Sequence, residues 1–156
     1  AVLIWRQVFH HILGVIVETV LFVSRIMFAL IFAISAISHF TNVSGMTAYT
    51  QSRGVPAAKF AVLLSGVVLS VGSISLITGY WVDLGALLLF AFLIPTALLM
   101  HPFWRESDPM AKMNEQIAFM KDLALAGGAL AIFAFYQIAA TSAVTHGALY
   151  GWPLFH

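Results

Sequence analysis

No cysteine occurs in the chain, so disulfides, thiolate nucleophiles, persulfide carriers and thiolate-held metal clusters are excluded from this polypeptide, and any sulfur chemistry must sit on a partner. Charge is scarce as well. Asp, Glu, Lys and Arg make up 8% of the 156 residues, against roughly a quarter in a soluble domain, which is too few to clothe a water-facing surface. The seven Lys and Arg are dispersed and the net charge is +1, which argues against a nucleic-acid partner. There is no Gly-rich phosphate loop, no nucleophile elbow and no His-Glu-x-x-His metal motif, so neither a self-sufficient hydrolase or kinase nor a metal centre is expected. Internal repeats and paired broken helices are missing too, which makes a secondary transporter a poor match.

What remains is apolar: 62% hydrophobic residues and a mean hydropathy of +0.99. A bilayer core about 30 Å thick takes about 20 apolar residues in helical form. Four such spans fit, at about residues 21–40, 57–80, 84–100 and 117–144. Arg25 followed by an apolar run and the Ala33 to Ser35 and Ala36 to Ser38 triplets imitates a cleaved signal, but two dozen residues precede it, so it reads as a retained span. Residues 1–20 are apolar with Trp5, Arg6, Gln7, His10, His11 and Glu18 interspersed, which suits an interfacial helix or a lead-in to span one. The stretch 41–56, with Gly45, Gly54 and Pro56, reads as a loop. Tyr80, Trp81 and Asp83 make a short turn between spans two and three; Pro95 lies inside span three; 101–116 is polar; and 145–156, with Tyr150, Trp152 and Phe155, is an aromatic interfacial tail.

Small residues at three- and four-residue spacing let helices approach closely inside a membrane. Span one has Ala29, Ala33 and Ala36; span two has Gly66, Ser70 and Ser73 with Gly72, Ser75 and Gly79; span four has Ala124, Gly128 and Ala131; the third shows no such ridge. The expected fold is all-α, an integral membrane antiparallel four-helix bundle. Arg53, Lys59, Arg105 and Lys112 follow spans one and three, while Arg6 and Arg25 lie on the other side, so the positive-inside rule puts those two loops in the cytoplasm and both termini outside.

Ionisable side chains within spans cost several kcal/mol unless they pair, snorkel or face a cavity, and so are the first functional candidates. His39 ends span one, His101 ends span three, and Lys121 and Asp122 begin span four. Alternating helix direction brings these to one membrane face, with Trp104, Arg105 and Gln116 at the same level and Phe40, Phe103 and Trp104 as walls. Read blandly, each of these side chains snorkels to the interface or decorates it. Taken together they form a shallow pocket suited to a quinone headgroup, whose carbonyls accept hydrogen bonds and whose reduction needs protons that His and Asp can supply. Arg25 and Glu18, toward the opposite face, and Trp152 in the tail are assigned to headgroup or partner contacts. Haem or chlorophyll ligation by the histidines is the weaker alternative, because both lie near an edge rather than at mid-span.

Several of these residues also carry a family resemblance. Arg25 opens span one, Ser38-His39-Phe40 ends it, Gly54-Val55-Pro56 forms the loop, and His101-Pro102-Phe103-Trp104 closes span three. The most distinctive run is Gln116 through Phe119-Met120-Lys121-Asp122-Leu123-Ala124-Leu125-Ala126-Gly127-Gly128. On these motifs the chain, over about residues 22–136, resembles the DoxX family of small four-span bacterial membrane proteins; the position after Lys121, often Asn in that family, is Asp122 here. The resemblance implies a bacterial cytoplasmic (inner) membrane location and association with thiosulfate:quinone oxidoreductase subunits or with complexes that recruit soluble redox or thiol-handling enzymes. Two functions follow as expectations. One is a quinone-interacting subunit of a redox-linked complex, with His39, His101, Trp104, Lys121 and Asp122 as its pocket. The other is a non-catalytic scaffold or accessory subunit of a larger respiratory or photosynthetic assembly, in contact with lipids and other subunits.

Overall fold

The computed structural model describes residues 2–141, with side chains from 4 to 139. The aromatic tail, with Tyr150, Trp152 and Phe155, and the last residues of the fourth expected span lie outside them. Five α-helices follow one another: α1 Val2–Thr41, α2 Val43–Ser52, α3 Ala58–Thr78, α4 Val82–Met100 and α5 Pro109–Thr141, with a single 3₁₀ turn at Phe103–Arg105 before α5. Among the described residues, α1, α3, α4 with its trailing turn, and α5 are long and apolar enough to cross a membrane.

Helix α1 runs unbroken for 40 residues, about 60 Å at 1.5 Å per residue and so twice the hydrocarbon thickness. The N-terminal segment is therefore continuous with the first span. The expected loop 41–56 contains a helix. Gly54 (φ 78) and Pro56, read from sequence as loop signals, act as the stop that follows α2; the Gly54 N–H donates to the Gln51 carbonyl, the left-handed ending common at helix C-termini. The polar stretch 101–116 is also mostly ordered as helix. Pro109 occupies the first position of α5, where its missing N–H costs nothing, and the Asp108 carboxylate accepts the Ala111 N–H at 2.7 Å. Helix α5 thus begins eight residues before its apolar run.

Close backbone packing joins α1 to α3, α3 to α4 and α4 to α5. Small residues sit at these junctions: Ala29 and Ala86 are fully buried, Gly66 lies against His39 and Phe40, and Gly72 lies against Gly85 and Leu89. Gly85 supplies α4 with the close-approach position that its sequence did not reveal. Helix α1 reaches α5 through long side chains instead, with Phe28 over Gly128 and Arg25 donating to the Tyr136 hydroxyl at 3.0 Å. Met27, Ile34, Phe60, Ile74 and Ile138 point outward, all exposed, as lipid-facing side chains do in the absence of any hydrophobic drive inward.

Candidate functional site

At the end of the helices that holds His39 and His101 lies a cavity of about 380 Å³ bordered by residues from all five helices, within the usual size range of small-ligand sites, about 300–1,000 Å³. Its walls are apolar, with Phe32, Phe92, Leu93, Leu99 and Leu125, and its polar groups include His39, Tyr49, Thr50, His101, Lys121 and Asp122. Pro95, which lacks a backbone N–H inside the continuous helix α4, also borders it.

His39 is buried, and its Nδ1 lies 2.8 Å from the Ser35 carbonyl of the preceding turn. A carbonyl can only accept, so Nδ1 carries the proton and the neutral ring keeps Nε2 as an acceptor. The ring meets Phe92 edge-on with centroids 6.5 Å apart, which fixes its plane. Asp122 is 5% exposed, with Lys121 Nζ 3.5 Å from Oδ1 and His101 Nε2 3.7 Å from Oδ2. The other ring nitrogen of His101, Nδ1, lies 2.8 Å from Glu115 Oε2. Glu115 Oε1 in turn accepts from Arg53, whose second amino group donates to Glu106 at 3.0 Å. The guanidinium stands over the Tyr49 ring, 5.2 Å from its centroid, and also donates to the Tyr49 hydroxyl at 3.2 Å. Burial lowers the pKa of Arg53, but the hydrogen bonds to Tyr49 and Glu106 and the nearby Glu115 charge more than offset this, so the group stands above its ordinary value and stays charged. One arginine thereby ties α2 to the start of α5 and to the turn before it.

Of the five pocket residues expected from sequence, His39, His101, Lys121 and Asp122 border the cavity. Trp104 does not. It is 50% exposed and packs edge-on with Phe103 and Phe119 outside the cavity, because the 3₁₀ turn carries it past the end of α4. Phe40 instead borders a separate surface groove with Lys59. Arg25 is buried against Tyr136 rather than set among headgroups; Glu18 is half-buried on α1; Trp152 lies outside the described residues. Sequence reasoning missed Glu115, Arg53, Tyr49 and Glu106. Glu115 had a signal, since it precedes Asp122 by about two helical turns and shares its face once α5 extends back. Arg53 had none, because its carboxylate partners Glu106 and Glu115 are distant in sequence.

A second polar layer lies toward the other end. Asp83 is fully buried, accepting the Leu84 N–H at 2.9 Å and the Gln137 amide at 3.1 Å, next to the Arg25–Tyr136 pair. Among the described residues no three His, Asp or Glu side chains are placed to hold a metal ion.

Apolar spans, lipid-facing side chains and an interior cavity with charged groups at one end define a multi-pass membrane protein. Residues 20–102 match the model of the DoxX family, and the chain belongs to that family. The match ends just beyond His101 and does not reach α5. No curated protein and no solved structure matches the chain.

Proposed function

We propose that the chain is the membrane subunit of a redox-linked complex and that its cavity takes a quinone headgroup. The observation that carries this reading is the cavity itself, with apolar walls and His39, His101, Lys121 and Asp122 on its border. A quinone presents that same division between an apolar tail or ring face and two carbonyls. Ile31 and Leu99, on the cavity border, are exposed on the outside of the helices, at a level a lipid-soluble ligand reaches from the bilayer. His39, once protonated, donates from Nε2 to a quinone carbonyl, and after giving up that proton its Nε2 accepts a hydrogen bond from the quinol hydroxyl. Lys121 offsets negative charge on a reduced ring. Electrons come from a redox partner outside this chain, and DoxX membership with the absence of cysteine makes a soluble redox or thiol-handling enzyme the fitting source.

Equilibrium titration of the purified full chain in lipid nanodiscs with a short-chain benzoquinone tests the reading. Wild type is expected to bind one quinone, and Asp122→Asn or His39→Gln to weaken binding about tenfold, the loss of one charge-assisted hydrogen bond. Absent binding in wild type, or equal affinity in all three proteins, overturns the reading.

A second reading, as accessory subunit of a larger assembly, rests on the N-terminal half of α1, where Ile4, Trp5, Phe9, Ile12 and Ile16 are all exposed. Shortening α1 to begin near Leu21 and finding the host complex unchanged in composition argues against it.

A further inference from the structure

We propose that Glu115 and His101 form a proton relay joining the aqueous face of the protein to Asp122 in the cavity, with Arg53 as the positioning residue that holds Glu115 in place. The inference deepens the quinone reading and rests on it for its purpose, since reduction of a quinone to a quinol consumes protons as well as electrons.

Three geometric facts support it. Glu115 and His101 are part-exposed, at 17% and 19%, while Asp122 is enclosed at 6%, so a single imidazole stands between a part-exposed carboxylate and an enclosed one. The two ring nitrogens face the two carboxylates separately, Nδ1 at 2.8 Å from Glu115 and Nε2 at 3.7 Å from Asp122. The second gap is longer than a hydrogen bond, and a small side-chain rotation or one bridging water closes it. Lastly, Glu115 divides its oxygens: Oε1 is held by Arg53, leaving Oε2 for the ring. A purely structural pairing needs only the Arg53 contact. The guanidinium keeps its protons at working pH, so the path passes beside Arg53, and Glu106 on its far side is an anchor rather than a member.

Protons balance along the path. Glu115 takes one from water and passes it to Nδ1 of the neutral ring. The imidazolium gives its Nε2 proton to the Asp122 carboxylate, and water then takes the Nδ1 proton and returns one to Nε2, restoring the starting tautomer. Asp122 then supplies a reduced quinone oxygen. The charged and titratable groups facing this path are Tyr49 from α2 and Arg53 just after it, Glu106 just after the 3₁₀ turn, Lys121 from α5 and, on the cavity border, His39 from α1.

The test needs no quinone. Nitrogen-15 NMR of histidine-labelled full chain in nanodiscs measures how fast the His101 ring protons exchange with water, with His39 as the internal control. Glu115→Gln is expected to slow His101 exchange by at least roughly tenfold, the lower range for removing a positioned acid–base group, while His39 is unaffected. Equal exchange in wild type and Glu115→Gln overturns the proposal, and so does equal slowing of His39 in Glu115→Gln. Should Glu115→Gln fail to fold, Glu115→Asp replaces it: slower exchange supports the relay and an unchanged rate overturns it. Quinone titration of the same samples reads the ligand separately, so loss of binding and loss of the relay are told apart.

Discussion

Gly85→Ala tests whether α3 and α4 are held at a backbone distance that only glycine permits. A Cβ placed on Gly85 lies 2.6 Å from Ser75 Cβ, 2.7 Å from Ser75 Oγ and 3.1 Å from the Gly72 carbonyl, whereas carbon atoms rest at about 3.5–4 Å. None of these neighbours can swing away. Ser75 Cβ and the Gly72 carbonyl belong to the α3 backbone, and Ser75 Oγ sits within hydrogen-bond distance of the Tyr80 and Trp81 carbonyls that shape the turn. The helices must part by about an ångström, at an overpacking cost of about 1–3 kcal/mol, with about 1 kcal/mol more if the Ser75 bond is lost. Against this stands a gain of about 0.5–1 kcal/mol from replacing glycine in a helix interior. The net expectation is a destabilisation of about 2 kcal/mol, on the order of a thirtyfold fall in the folded-to-unfolded ratio. Gly127→Ala is the control: nothing lies within 4 Å of its Cβ, so only the gain of about 0.5–1 kcal/mol remains. Reversible unfolding of both variants by SDS titration in one mixed-micelle system reads the difference. If Gly85→Ala is as stable as wild type, or moves in the same direction as Gly127→Ala, the close-approach argument is wrong.

Tyr136→Phe removes the acceptor of the buried Arg25 and is expected to cost about 1 kcal/mol in the same titration, the usual scale for polar contacts between membrane helices. Arg53→Lys keeps the charge but cannot hold Glu106, Glu115 and Tyr49 at once, so hydrogen exchange across Val43–Ser52 should quicken several-fold while the α3 core stays protected. Because the pKa of Arg53 is raised in the folded state, its stabilisation is complete below the ordinary guanidinium value and is lost only as pH rises through the raised one. The stability gap between wild type and Arg53→Met should therefore stay flat from neutral to mildly alkaline pH, and a gap that shrinks over that range contradicts the assignment. Gly66→Ala places a Cβ 2.9 Å from the Phe40 ring and 3.1 Å from His39 Cβ; the exposed Phe40 ring can yield, so quinone affinity should fall less than in His39→Gln.

Four spans were legible because each is a run of about 20 apolar residues, a signal that needs no tertiary information. What the sequence hid is tertiary. Gly85 stands alone in a Leu-rich run with no small neighbour at four-residue spacing, and its partners Gly72 and Ser75 are on the facing helix. Glu115 was read as part of a polar connection because the eye ends a membrane helix where its apolar run ends; the capping pair Asp108 and Pro109 carries α5 further back and turns Glu115 onto the face of Asp122. Trp104 was expected beside His101 on sequence proximity, but a 3₁₀ turn separates adjacent residues by about 120° and sends them to different surroundings. The helix α2 was hidden by glycine and proline whose role is to end it.

The two polar layers differ in how their buried charges are held. Any carboxylate at membrane depth costs several kcal/mol unless it is paired or faces a cavity. At one end, Asp83 meets its donors at 2.9 and 3.1 Å, and Arg25 meets Tyr136 at 3.0 Å. The first lies within α4, while the Gln137 bond ties α4 to α5 and the Arg25 bond ties α1 to α5, all at hydrogen-bond length. At the other end, Asp122 is nearly as enclosed, and the nearest Lys121 and His101 nitrogens stand at 3.5 and 3.7 Å, longer than the roughly 2.7–2.9 Å of a short charge-assisted hydrogen bond. The carboxylate also borders the cavity. Longer contacts to Asp122, beside a cavity of ligand size bordered by residues of all five helices, make the His39 end the place to test for a ligand.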